Sequence, residues 1–243
     1  MSDFEFRNRS GELLDHTFHP GTREGVLVVL AHGVTGNKDR PHLVALAAGL
    51  AKRGWPCVRI SYTGNGASEG RFEDSCITKE VADLQSVIDA AGKVRVAYVG
   101  HSMGGAVGVL TAARDPRIQV LVSLAGMTHT ADFVKREFGD QVPGEGFMWD
   151  EPDHPYSKAY EEDLRLIGDT LSAAEAVEQP WLLIHGDADD LVPIGDGRDA
   201  HEAAGGEKKF VEIPGAGHSF DETSYPVLVD EVDEWLGKYL SAE

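Results

Sequence analysis

Residues Val26–Ala31 read Val-Leu-Val-Val-Leu-Ala, apolar at every position. A strand with one face in water alternates apolar and polar residues. An unbroken run of this length therefore marks a strand covered on both faces, as in a parallel sheet with helices above and below. Residues 58–60, 94–99, 118–124, 181–184 and 210–213 form further short runs of strand character. Between them lie stretches of helical spacing at 42–52, 78–91, 104–114, 197–204 and 225–240. Alternation of this kind predicts an α/β fold with a mainly parallel, twisted sheet flanked by helices. Residues 4–7 and 13–18 precede the first parallel strand without a helix between them, and predict an antiparallel N-terminal hairpin at one sheet edge.

The rhythm breaks once. Residues 128–176 contain no convincing strand and mix aromatics, acids and prolines. A structureless loop of that length is improbable within a compact domain, so the stretch is expected to be an insert with short elements of its own, forming a cap. With 243 residues, the chain is expected to be a single domain, 1–243, carrying that cap.

Charge excludes several function classes. The 41 Asp and Glu against 22 Lys and Arg give a net charge of −19, which repels nucleic acid and anionic membrane surfaces. Two cysteines, Cys57 and Cys76, make neither a disulfide framework nor a zinc motif. No window approaches 18 uninterrupted apolar residues, and the first residues show no basic start ahead of an apolar run. The expected setting is the cytoplasm and the expected partner a small molecule. A homodimer is left open.

Gly100-His101-Ser102-Met103-Gly104 fits a G-x-S-x-G nucleophile turn, and so does Gly66-Ala67-Ser68-Glu69-Gly70. Context separates them. Ser102 follows a strand directly and opens an apolar helix, whereas Ser68 is followed by Arg71, Glu73 and Asp74 before any helical pattern begins. A sharp strand-to-helix turn needs small flanking residues, because strand and helix crowd together there. Ser102 is thus the candidate nucleophile and Ser68 a loop residue.

A serine hydroxyl needs a base. Of the ten histidines, His218 lies in Gly215-Ala216-Gly217-His218-Ser219-Phe220, a loop between the last strand and the C-terminal helix, where a base can reach the sheet's C-terminal edge. His185 ends a buried strand and is expected to be satisfied by backbone. The orienting carboxylate is expected after residues 181–184, where Asp187, Asp189 and Asp190 can each serve. The oxyanion requires backbone N–H groups. Met103, which follows the nucleophile, supplies one, and Val34 in the glycine-rich His32-Gly33-Val34-Thr35-Gly36 loop supplies the other.

HGVTG, the stretch 61–68, GHSMGG, GDADDLVP and GAGHSF occur in the order found in α/β-hydrolases, which the chain resembles over nearly its whole length. In that family the acid commonly occupies G-x-x-D-x-x-V-P, and the resemblance therefore implies Asp189. HGVTGNK and a compact insert before the acid strand are similar to the cinnamoyl/feruloyl esterases and their carboxylesterase relatives. The resemblance implies a serine carboxylic ester hydrolase acting through an acyl-enzyme on short-chain or aromatic, hydroxycinnamoyl-type esters, with no cofactor and no metal. Peptidase or amidase activity and monoacylglycerol lipase activity are the alternatives within the fold. A small-molecule receptor using a hydrolase pocket is the alternative of another class. Phe133, Phe138, Phe147, Met148 and Trp149 of the insert are candidates to line an apolar or aromatic acyl pocket, the alternative being that they make the insert's own small core.

Overall fold

The computed structural model describes residues 5–240. The N-terminal hairpin forms, but as a sheet of its own: β1 (Phe6–Arg7) pairs antiparallel with β2 (Leu13–Leu14). The run 13–18, expected as one strand, breaks at Asp15. Its second part, β3 (His16–His19), joins the edge of the main sheet. The break has a visible cause. Ser68 Oγ takes the N–H of Asp15, and the carbonyl of Asp15 takes the N–H of Ser61, so a distant loop ends one pairing and begins the other. Phe4, expected at the start of the first strand, lies outside the described residues.

The main sheet adds β4 (Val26–Ala31), β5 (Cys57–Ile60), β6 (Arg95–His101), β7 (Ile118–Leu124), β8 (Trp181–Gly186) and β9 (Lys208–Ile213). The order is β3-β5-β4-β6-β7-β8-β9, and every pair except β3 with β5 is parallel. The helices are α1 (Pro41–Lys52), α2 (Ile77–Ala91), α3 (Met103–Ala112), α4 (Thr130–Phe138), α5 (Lys158–Ile167), α6 (Leu171–Glu175), α7 (Ile194–Ala203) and α8 (Tyr225–Leu240). Among the described residues, no helix is long and apolar enough to cross a membrane.

The period of two along β4 divides the interior. Val28 and Leu30 join one core with Leu43 and Leu46 of α1 and Val232 and Leu236 of α8. Val29 and Ala31 point into the other, with Leu84 of α2, Val107 of α3 and the insert's Phe133 and Leu164. Both cores are fully buried, which accounts for the unbroken apolar run. The insert 128–176 carries α4, a short 3₁₀ turn at Met148–Asp150, α5 and α6. In α4, Thr130, Phe133, Val134 and Phe138 are buried, a stripe at helical spacing that seats the helix.

Topology fixes where a ligand can bind. β5 lies on one side of β4 and β6 on the other, so the loops leaving β4 and β6 diverge at the sheet's C-terminal edge. Crevices form at such switch points. The loop 32–36 and Ser102 both lie there.

Candidate active site

Ser102 stands between β6 and α3 with φ 57° and ψ −122°. A residue with a Cβ rarely adopts positive φ, and the turn persists because its surroundings over-determine it. The Ser102 N–H donates to the carbonyl of Leu124 at 3.0 Å, and its own carbonyl accepts from Gly105 at 2.8 Å and Met127 at 3.0 Å. The flanking glycines are obligatory for space. A Cβ on Gly100 would lie 2.1 Å from the Gly104 carbonyl oxygen, and one on Gly104 would lie 2.5 Å from that of His32. Beneath the turn, Tyr62 and Tyr98 share a hydroxyl contact of 2.7 Å, and the Tyr98 hydroxyl donates to the Gly104 carbonyl at 2.8 Å.

The loop after β4 is pinned by a neutral histidine. Nε2 of His32 accepts the Tyr62 N–H at 3.0 Å, which leaves the hydrogen on Nδ1, and Nδ1 donates to the Gly33 carbonyl at 2.8 Å. Burial lowers the His32 pKa to about 4, so this arrangement holds throughout neutral pH. Gly33 approaches so closely that a Cβ there would lie 2.5 Å from the Ser102 Cβ. Val34 follows directly and lines the same cleft as Ser102. Met103 is the first residue of α3. The first N–H groups of a helix have no intrahelical acceptor, and its positive end attracts negative charge.

The structure brings the sequence-inferred acid and base together. Nδ1 of His218 is 2.8 Å from Oδ2 of Asp189. Oδ1 of Asp189 accepts the N–H groups of Leu191 at 3.0 Å and Val192 at 2.8 Å. Burial alone would raise the Asp189 pKa, but hydrogen bonds from His185 and His218 outweigh it and hold the carboxyl below its ordinary value. His218 and Ser102 line one cleft of about 420 Å³. Asp187 instead accepts the Gly215 N–H and joins the two loops, while Asp190 lines the cleft. Ser68, the competing serine, donates to the Ser61 carbonyl at 2.8 Å, as a loop residue should.

The five insert residues divide. Phe133 and Trp149 line the cleft. Phe138 and Met148 are buried in the core and absent from the cleft lining, and Phe147 is 43% exposed beside its bridge to Pro155. Phe138 turns inward because it meets Trp149, Tyr156, Tyr160 and Phe133, an aromatic cluster that the insert needs for its own packing.

Residues that the sequence does not single out also line the cleft, among them Arg40, Glu137 and His42. Arg40 donates to the Thr35 carbonyl at 2.9 Å, and Glu137 receives the Trp149 indole N–H at 3.3 Å. The buried His42 ring lies 4.2 Å from that of His101, and burial pushes its pKa down to about 3. The signal available for Arg40 and His42 is their place just after the glycine-rich loop, at the start of α1. Among the described residues, no group of three His, Cys, Asp or Glu is arranged to hold a metal ion.

A family model for the alpha/beta hydrolase fold matches residues 26–159. Among curated relatives, the chain is 26% identical to a monoacylglycerol lipase of Mycolicibacterium smegmatis, a match covering 91% of each protein. It is 30% identical to the mitochondrial palmitoyl-protein thioesterase ABHD10 of Homo sapiens over 58% of this chain and 49% of that one. Among solved structures, Est1E from Butyrivibrio proteoclasticus with ferulic acid bound gives a TM-score of 0.83 at 22% identity, covering 99% of this chain and 100% of that one.

Proposed function

The chain belongs to the α/β-hydrolase fold family, and from that premise we propose that it is a serine carboxylic ester hydrolase working through an acyl-enzyme. One observation carries the reading. Ser102, on its strained turn, and His218, with Nδ1 2.8 Å from Asp189, line a single cleft.

In this mechanism Ser102 Oγ attacks the ester carbonyl while Nε2 of His218 removes its proton. Asp189 holds the ring in the tautomer that leaves Nε2 free to accept, and stabilises the imidazolium that forms. The carbonyl oxygen becomes an oxyanion and takes hydrogen bonds from the N–H groups of Val34 and Met103. His218 then protonates the departing alcohol. Water, deprotonated by the same ring, attacks the acyl-enzyme, and the acid leaves with the serine restored.

The cleft's walls bear on the substrate. Phe133, Trp149 and Leu191 offer apolar surface, and about 420 Å³ suits a short or aromatic acyl group. The relatives whose names specify a lipase or thioesterase also transfer an acyl group to water, and Est1E was solved with a hydroxycinnamic acid. The test is a panel of p-nitrophenyl esters of increasing chain length with methyl hydroxycinnamates, alongside labelling by a fluorophosphonate. Turnover of a short or aromatic ester, together with label on Ser102, is the expected result. Esterase activity undiminished in Ser102→Ala would overturn the reading, and a preference for aminoacyl anilides would assign a peptidase instead.

A further inference from the structure

The carboxylate of Asp189 is held by a second imidazole. His185, in β8, is buried at 1% exposure, with Nε2 2.9 Å from the Val192 carbonyl oxygen and 3.2 Å from Oδ2 of Asp189. Both neighbours of that nitrogen are acceptors, so the ring carries its hydrogen on Nε2; the hydrogen bond goes to the Val192 carbonyl, and the positive N–H end lies 3.2 Å from Oδ2 of Asp189. The far side of the ring is closed by α7, where a Cβ on Gly197 would lie 2.7 Å from Nδ1. Oδ1 of Asp189 is already tied to two backbone N–H groups, and Oδ2 is shared by His185 and His218.

We propose that His185 is a positioning residue for the reaction: its Nε2–H, anchored on the Val192 carbonyl, presents its positive end to Oδ2 of Asp189 and favours the orientation in which that oxygen receives the hydrogen of His218 Nδ1. The inference rests on the assignment of Ser102, His218 and Asp189 made above. A rotation of the carboxylate that moved Oδ2 away from His218 would also break the contact with His185, so the acid stays aligned while the base moves protons. The same donor withdraws negative charge from Oδ2. Without it the carboxylate stabilises the His218 imidazolium more strongly, and the base is protonated at higher pH. The other titratable and charged groups around the base are His101 and His42, whose tilted rings lie in series beside it, Arg40, Glu137 and Asp190 in the cleft, and Asp187 in the adjoining loop. None is altered by a substitution at 185.

The test compares His185→Phe, which keeps a ring without a donor, with His185→Gln, whose amide N–H replaces Nε2–H. Both are measured as the full chain on an ester that the unmodified protein turns over. His185→Phe is expected to lower kcat about 10- to 100-fold with KM within about twofold, because the defect lies in proton transfer and not in binding. The low-pH limb of kcat/KM is expected to move upward by about half a unit, and His185→Gln to restore most of both. Should His185→Phe fail to fold by circular dichroism, His185→Asn, whose amide stops short of Oδ2, takes its place against His185→Gln. Equal kcat and equal pH limbs in the donor-bearing and donor-lacking variants would overturn this inference alone, provided activity still vanishes in Ser102→Ala. Activity that survives Ser102→Ala overturns the functional reading, and this inference with it.

Discussion

His101 donates its Nε2 hydrogen to the carbonyl of His218 at 2.9 Å, so the residue preceding the proposed nucleophile also holds the loop of the proposed base. The two rings lie 4.8 Å apart, and burial depresses the His101 pKa well below its ordinary value, keeping that ring a neutral donor. His101→Phe preserves the ring contact with His42 but removes the donor to the His218 carbonyl. The expected cost is about 1–3 kcal/mol, expressed as a kcat roughly 5- to 150-fold lower, with KM little changed. Steady-state kinetics on one ester check this. A change in KM alone would show that His101 shapes the cleft and does not hold the base.

Gly33 leaves no room for a side chain. Its added Cβ would meet the Ser102 Cβ at 2.5 Å and Oγ at 2.9 Å; the hydroxyl can turn away only by leaving its place, and the Cβ is fixed by the backbone. Gly33→Ala is expected to reduce kcat/KM by about 10² or more, since it displaces both the hydroxyl and the proposed oxyanion donor. Val34→Ala leaves the backbone N–H in place and is expected to stay within about threefold. The pair, assayed side by side, separates backbone from side-chain contributions.

These positions differ in how far the linear sequence reveals them. Ser102 was legible because a strand, a small-residue turn and an apolar helix must occur together for such a turn to form. The strands were legible because both faces of the sheet are covered. Asp189 was not separable from Asp187 and Asp190 by residue type, since three neighbouring carboxylates have the same chemistry; the turn that bonds Oδ1 to residues 191 and 192 decides which one faces His218. The split of residues 13–18 was hidden because it is imposed by Ser61 and Ser68, more than 45 positions away. His185 is satisfied by backbone, as its place at the end of a buried strand predicts, through Val192. Its contact with Asp189 depends on how the following loop curls back, which no periodicity reports.

Phe133 and Phe138 sit on one helix yet face different surroundings, and the insert's aromatics are expected to separate by phenotype. Phe138 is fully buried among aromatic rings, so Phe138→Ala is expected to destabilise by about 3–5 kcal/mol while leaving the acyl preference of the folded fraction unchanged. Trp149 is half-buried, lines the cleft and packs on Phe138 at 5.0 Å. Trp149→Ala is expected to shift preference toward bulkier acyl groups, with a smaller loss of Tm. Thermal melts and the chain-length panel measure the two effects independently. An unchanged panel for Trp149→Ala would remove it from the acyl pocket.

Glu80 gives the fold a pH dependence whose sign can be worked out. Its side chain is buried at 2% exposure; Oε1 takes the Ser75 hydroxyl at 3.3 Å, whereas Oε2 has no hydrogen-bond partner. Burial, reinforced by the neighbouring charge of Asp83, raises its pKa well above the ordinary 4.5. Asp83 is itself raised, chiefly by burial, although it accepts hydrogen bonds from Thr63 and Asn8. A carboxyl with a raised folded pKa keeps its proton in the native state while the unfolded chain releases it above about pH 4.5. The stability it contributes is therefore complete below that pH and is lost as pH rises through the folded value. Glu80→Gln keeps the shape and the Ser75 contact but cannot ionise, so it is expected to match the unmodified protein near pH 4 and to exceed it at pH 8 by roughly 1–3 kcal/mol, a Tm gain of several degrees. Melting curves of both proteins between pH 4 and 8 read this directly, and a gap that narrowed with rising pH would show that Glu80 is ionised and paired in the native fold.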